Sequence, residues 1–237
     1  MYKHAAFLVR KEGMTYQEFL DHWQNQHTPI AREIEGVLKY LTSVPVDPGN
    51  AEFDGIAELY FEDLDALHDA LGSEGSRNYD PEKGVAKTAR EDVDNFLSIQ
   101  DRPRLIGEET VQKDERQASY KHVALLVRKD GMTHEQFREH WLENHVPIAS
   151  EIPGVMRYKT TVPVDPENAE FDGIAGLYFE DLDALRAALG DENSRDYDPD
   201  HPKAKRARED VENFLAVEKR PRMVVEETVQ KNITTSP

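Results

Sequence analysis

The chain opens on a run of small, β-branched and aromatic residues, HAAFLVR from His4, which ends at the polar turn Lys11-Glu12-Gly13. Such a run predicts a strand. Thr15 and Glu18 have the spacing of a capping box and predict a helix start. Phe19, Trp23, Gln26 and Ile30 then share one face at helical spacing. Pro29 marks a break or restart, because its ring clashes with the preceding turn, and Gly36 marks a stop. VLKYLTSVPV from Val37 predicts a second strand, and Pro48-Gly49-Asn50 is turn chemistry. GIAELYF from Gly55 predicts a third, with Ile56, Glu58 and Tyr60 on one face and Gly55, Ala57, Leu59 and Phe61 on the other. Asp63 caps a short helix carrying Leu64, Leu67 and Leu71, which Gly72 ends. After a polar loop through Asn78-Tyr79-Asp80-Pro81, Ala86, Ala89, Val93 and Phe96 or Leu97 mark another helix. RLIGEETVQ from Arg104 closes the unit as a fourth strand. The order is β-α-β-β-α-β, with the second helical region split in two.

The whole unit is then written again. Tyr2-Lys3-His4 recurs as Tyr120-Lys121-His122, and the register holds without a gap to Val111-Gln112-Lys113 against Val229-Gln230-Lys231. Roughly two thirds of the aligned positions are identical, the signature of a duplicated domain. The boundaries are 1–113 for the first copy, 114–119 for a polar linker, 120–231 for the second copy and 232–237 for a disordered tail. A unit of this length is far too long for a solenoid repeat, so each copy needs its own core. The expected class is α+β: two ferredoxin-like repeats, each an antiparallel sheet with helices on one face. Apolar residues on both faces of the third strand mean that the other face is covered too. The two sheets are therefore expected to pack face to face as an intramolecular α+β barrel, a two-fold dimer made within one chain.

Composition narrows the function. The 237 residues are 38% hydrophobic, and no run approaches the ~18 apolar residues of a membrane helix. There is no cysteine, which removes disulfides, thiolate nucleophiles and thiolate-held metals. A reducing, cytoplasmic setting is expected. The net charge of −18, spread along the chain without a basic stripe, speaks against nucleic acid and anionic membranes as partners. No phosphate-binding glycine loop, nucleophile elbow or dinucleotide fingerprint is present.

The series FLVRKEGMTYQEFLDHWQNQHTPIA, GVLKY and DGIAELYF resembles the EthD family of dimeric α+β barrels, and LLVRKDGMTHEQFREHWLENHVPIA, GVMRY and DGIAGLYF repeats the likeness. The family is named for a protein encoded with an ether-degrading oxidase system. Relatives include methylmuconolactone isomerases, and the wider superfamily holds polyketide cyclases and cofactor-free monooxygenases. The resemblance implies a pocket for a small organic ligand. It also implies a functional role for the His-x-Pro histidine, His27 here and His145 in the second copy.

Read residue by residue, His22 and His27 make a poor metal pair. They stand five apart, about 140° around a straight helix, whereas paired zinc ligands stand four apart. No third ligand follows at a telling spacing, so no metal is expected. His22 and His140 read as helix-flank residues, and His4 and His122 as surface strand ends. Phe19 and Trp23 read as core. His27 is either a half-buried imidazole bonded to a backbone carbonyl or an acid/base group at the barrel mouth. Tyr40 and Tyr158 either pack as aromatic strand residues or place their hydroxyls in the barrel as oxyanion-type donors. Glu58 faces inward between Ile56 and Tyr60, and its counterpart is Gly176. It is either tied to a structural Lys or Arg, or joins His27 and Tyr40 in an acid/base set held by the first half alone. The expected catalytic set is thus His27, Tyr40 and Glu58, with Trp23, Tyr60, Trp141, His145 and Tyr158 lining the ligand and no cofactor. Three functions stay open. One is a cofactor-free isomerase- or cyclase-like proton transfer, or a step accessory to oxidation. The others are a non-catalytic ligand-binding or stress-related module, and an oxidoreductase-type barrel. The partner in each case is a small, fairly apolar organic molecule. The pseudo-dimer within one chain leaves open whether two chains pair again.

Overall fold

Strand alternation sets the architecture. The computed structural model describes residues 1–72, 81–190 and 199–233. The first half runs β1 (Tyr2–Leu8), α1 (Tyr16–His22), α2 (Thr28–Ala31), β2 (Lys39–Pro45), β3 (Gly55–Phe61), α3 (Leu64–Leu71), α4 (Gly84–Phe96) and β4 (Arg104–Asp114). The second half repeats it as β5 (Tyr120–Leu126), α5 (His134–Glu139), α6 (Val146–Ser150), β6 (Arg157–Pro163), β7 (Gly173–Phe179), α7 (Leu182–Leu189), α8 (Pro202–Phe214) and β8 (Arg222–Asn232). The capping signals act as read. Thr15 and Glu18 close the box on α1, Asp63 accepts from the Ala66 N–H at 2.8 Å, and Gly72 ends α3 at φ 60° in the left-handed region. Apart from Pro81, the polar loop through Asn78-Tyr79-Asp80-Pro81 lies outside the described residues.

The eight strands form one closed antiparallel barrel in the order β1-β3-β2-β8-β5-β7-β6-β4. The two sheets are therefore joined along both edges. β4 leaves its own partner β1 to pair with β6 of the other half, and β8 leaves β5 to pair with β2. Closure leaves no open edge among the described strands. The strand reaches further than the expected boundary: Asp114 pairs with Arg157 inside β4 rather than opening a linker. Asn232 likewise closes β8, and the Ile233 N–H donates to the Leu38 carbonyl at 2.9 Å, so the ordered strand runs into the segment expected as tail.

β1–β3 and β5–β7 bury both faces over most of their length, and β4 and β8 do so near their starts. Outward residues such as Leu59, Phe61 and Ile106 pack under the helices with Ile34, Leu67, Leu71 and Ala89. Inward residues Ala5, Phe7, Ile56 and Leu105 meet Val123, Leu125, Ile174, Met223 and Val225 of the second half at one end of the barrel. That shared apolar plug binds the halves by the non-directional burial that drives folding.

Candidate functional site

The stretch between α1 and α2 does not break at Pro29. Its backbone stays right-handed helical, and one turn, Trp23–His27, widens so that the Thr28 N–H donates to the Trp23 carbonyl five residues back. The second half does the same over His140–His145, with the Val146 N–H on the Trp141 carbonyl. Proline has no N–H to give and crowds the carbonyl four residues before it, so a wider turn is the local relief. The consequence reverses the spacing expectation. On a π turn, residues five apart come to one side. His22 Nε2 and His27 Nδ1 both reach one carboxylate, Asp92 of α4, each at 3.0 Å. His140 and His145 meet Asp210 of α8 at 3.1 and 2.9 Å. Phe96 and Phe214 lie against these rings, with His22 stacked on Phe96 at 4.8 Å between centroids. His22 and His140 are thus built into the clusters and are not mere helix flanks. Among the described residues no group of His, Asp and Glu is arranged to hold a metal ion.

Burial lowers the pKa of His27 and of His145, partly offset by their bonds to Asp92 and Asp210. Asp210 is held below the usual carboxylate range by its bond from His145, against the opposing effect of burial. Asp92 is lowered as well: burial opposes this, but bonds from Asn95, His22 and His27 outweigh it. A neutral imidazole beside a charged carboxylate donates through Nδ1–H, which leaves Nε2 as the basic nitrogen.

Both histidines line cavities that lie between the sheet and the helices, not inside the barrel. The first-half cavity, about 40 Å³, is walled by His4, Trp23, His27, Tyr40, Phe96 and Arg102 among others. The second, about 60 Å³, has His122, Trp141, His145, Tyr158, Phe214 and Arg220. Each tryptophan is seated by a glycine. A Cβ on Gly55 or Gly173 would lie 2.5 Å from Cζ3 of Trp23 or Trp141, so no larger residue fits there. The Trp141 indole N–H donates to the Tyr158 oxygen at 3.1 Å, which leaves the phenol hydrogen to donate elsewhere. In the first half the Tyr40 hydroxyl has Thr28 Oγ1 at 3.5 Å. Burial raises the pKa of both tyrosines, so both stay protonated.

Several expectations are corrected here. Tyr40 and Tyr158 point to the helix layer rather than into the barrel. His4 and His122 are cavity walls, not surface strand ends. Burial, helped by Arg102 and Arg104 or by Arg222 and Arg220, pulls their pKa to about 3 and keeps them neutral. Glu58 does not stand beside His27 and Tyr40, because successive strand residues face opposite sides. Its carboxylate lies inside the barrel at 2.6 Å from Lys3 Nζ and 2.8 Å from Lys121 Nζ. Tyr60 faces the same interior and donates to Glu109 at 2.8 Å. So of the expected catalytic set, His27 and Tyr40 share a cavity and Glu58 is separate. Trp23 lines the cavity of His27 and Tyr40, and Trp141, His145 and Tyr158 share the second one. Sequence reading missed Asp92 and Asp210. Their one signal is recurrence within EDVDNF and EDVENF, where neighbouring acids mask them.

The family model described as "EthD domain" matches residues 11–100 and again 129–217. No curated protein is similar enough to match. Among solved structures, an anthrone oxidase-like protein superposes with a TM-score of 0.64 at 12% identity, covering 100% of this chain and 95% of its own. A candidate monooxygenase from Lactobacillus acidophilus NCFM gives 0.55 at 11% identity, covering 98% and 95%. An EthD family protein from Bacillus halodurans C-125 is 23% identical over 46% of this chain and 99% of its own, with a TM-score of 0.36.

Proposed function

The chain belongs to the EthD family, and from that premise we propose that it encloses a small, largely apolar organic molecule between sheet and helices and moves a proton on it. The observation that supports this best is the second-half cavity, where a carboxylate-held neutral imidazole and a phenol with its hydrogen free stand in one mostly apolar wall. His145 Nε2 takes a proton from a carbon next to a carbonyl, and the electron pair moves onto the carbonyl oxygen. Tyr158 O–H, and Arg220 in the same wall, stabilise that oxygen. Asp210 holds the imidazole tautomer and shares the charge it gains. Return of the proton to a different carbon completes an isomerisation or opens a cyclisation, with no electrons gained or lost overall. His27, Asp92 and Tyr40 form the smaller counterpart.

Size bounds the ligand. A cavity needs about 10–15 Å³ to hold one water, and about 150 Å³ holds benzene. The space as it stands suits a molecule of a few heavy atoms, or the inner end of a longer one whose remainder lies in the polar surface hollow of about 130 Å³ that shares Arg220 and Arg222. The smallness also favours a second reading, a binding module without chemistry. Native mass spectrometry of the purified chain identifies a retained ligand, and incubation in D2O separates the readings. Proton transfer predicts that carbon-bound deuterium accumulates in the ligand, and that His145→Ala abolishes this while His27→Ala reduces it less. A ligand that binds and never exchanges leaves only the binding module, and a chain that retains nothing and binds no small ketone or lactone sinks both.

A further inference from the structure

The end of the barrel opposite the apolar plug holds six charged side chains, each at most 8% exposed. Glu58 bonds Lys3 and Lys121, Lys3 also bonds Glu109 at 2.8 Å, Lys121 bonds Glu227 at 2.9 Å, and Lys159 lies 3.4 Å from Glu109. Three lysines meet three glutamates. Lys3 and Glu109 of the first half correspond in the repeat to Lys121 and Glu227 of the second. Two members break the repeat. Glu58 corresponds to Gly176 and Lys159 to Leu41, and these are cross-strand partners: Leu41 faces Glu58 in one half, Lys159 faces Gly176 in the other. One half has an extra anion and the other an extra cation. At the rim above, Lys39 lies over the Tyr60 ring and Arg157 pairs with Asp114 at 2.7 Å. Being one cation in each half, they leave that difference unchanged.

We infer that this charged layer is a recognition surface by which each half accepts the other and rejects a second copy of itself. Two first halves would bury two lysines with four glutamates, and two second halves four lysines with two glutamates. An unmatched buried charge is costly, whereas the native layer is neutral. Local geometry adds to the count. Glu58 sits between the two equivalent lysines and serves both. A side chain at position 176 would start with its Cβ 3.3 Å from Lys121 Cδ and from Tyr178 Cε2. There is thus room and charge for one carboxylate there, not two. The partner of a first half is therefore a second half, of the same chain or, by exchange at high concentration, of another chain.

Two experiments on full-length chains test this. In the native chain, Glu58→Gly leaves three lysines with two glutamates, Lys159→Leu leaves two with three, and the double variant restores two with two. The double variant is expected to melt above the lower of the two single variants. A double whose loss in melting temperature equals or exceeds the sum of the single losses overturns the inference. In the second experiment one chain carries the second half twice. It is expected to elute as aggregate or an open dimer, and Lys159→Leu in both copies is expected to restore a compact monomer. A compact monomer without the substitution, or no rescue with it, overturns the inference equally.

Discussion

The two histidine–aspartate clusters, one per half, are nearly superimposable, with His-to-carboxylate distances of 3.0 and 3.0 Å in the first and 3.1 and 2.9 Å in the second. The barrel interior is not. There one half supplies Glu58 and the other Lys159, and neither is repeated. The difference follows from position. A helix-layer cavity is built within one half, so both copies can keep it. A residue at the pseudo-two-fold axis of a true dimer must occur twice, and duplication inside one chain lifts that demand. What was free to diverge was the shared layer, and it diverged in a charge-compensated way.

The largest test of this contrast is Glu58→Ala against Gly176→Ala. Removing one partner of a buried ion network costs about 3–5 kcal/mol. Chemical denaturation is expected to show a loss of that order for Glu58→Ala and a smaller change for Gly176→Ala, where the Lys121 stem and the Tyr178 ring edge, each 3.3 Å from the new methyl, must give by a few tenths of an ångström. Similar losses for both would show that Glu58 is not singled out. Next comes pH. His4 and His122 have folded pKa values near 3, below the unfolded value near 6.5. The unfolded chain therefore takes up protons first, so stability present above pH 6.5 falls as pH drops towards 3, by up to about 1.4 kcal/mol per pH unit for each residue. Between pH 6.5 and about 5.5 the carboxylates, with unfolded pKa values near 4, contribute little to this slope. His4→Gln and His122→Gln should each flatten the slope by a similar amount, and an unequal effect would mark one cavity as more open to water than the other.

Smaller again is the glycine seat. Gly55→Ala and Gly173→Ala each push a methyl into a tryptophan ring, and overpacking of this kind costs about 1–3 kcal/mol. Equal losses in denaturant are expected, because both seats have the same 2.5 Å approach. The smallest expected effect is Thr28→Val, which copies Val146 of the second half. The 3.5 Å contact to Tyr40 is long for a hydroxyl pair, so a loss under about 0.5 kcal/mol is expected. A loss above 1.5 kcal/mol would make Thr28 a true anchor of Tyr40.

Much of the fold was legible because alternation, capping boxes and the repeat all pointed one way. Thr15, Asp63 and Gly72 act locally and were read correctly. The inward face of β3 was legible too, since Glu58 interrupts an otherwise apolar alternation. For β2 the pattern cannot tell inside from outside, because both faces are buried, so the two readings of Tyr40 stayed open and the one that placed its hydroxyl in the barrel does not hold. The histidine pair was misread by applying a 3.6-residue period to a turn that is wider. Asp92 could not be found by periodicity at all, since its role depends on where α4 crosses the π turn.

Closure of the barrel also has a timetable. β2 emerges early from the ribosome, yet its partner β8 follows roughly 180 residues later, a delay of about 10–40 s at ordinary synthesis rates. Through that interval the nascent first half carries an unpaired strand edge, and until β5 and β6 follow, its two inward carboxylates, Glu58 and Glu109, share the single cation Lys3 and lack Lys121 and Lys159. Those charges discourage the half-made sheet from docking on its neighbour on the same messenger, so the feature that fits the finished halves together also guards the unfinished one against premature company.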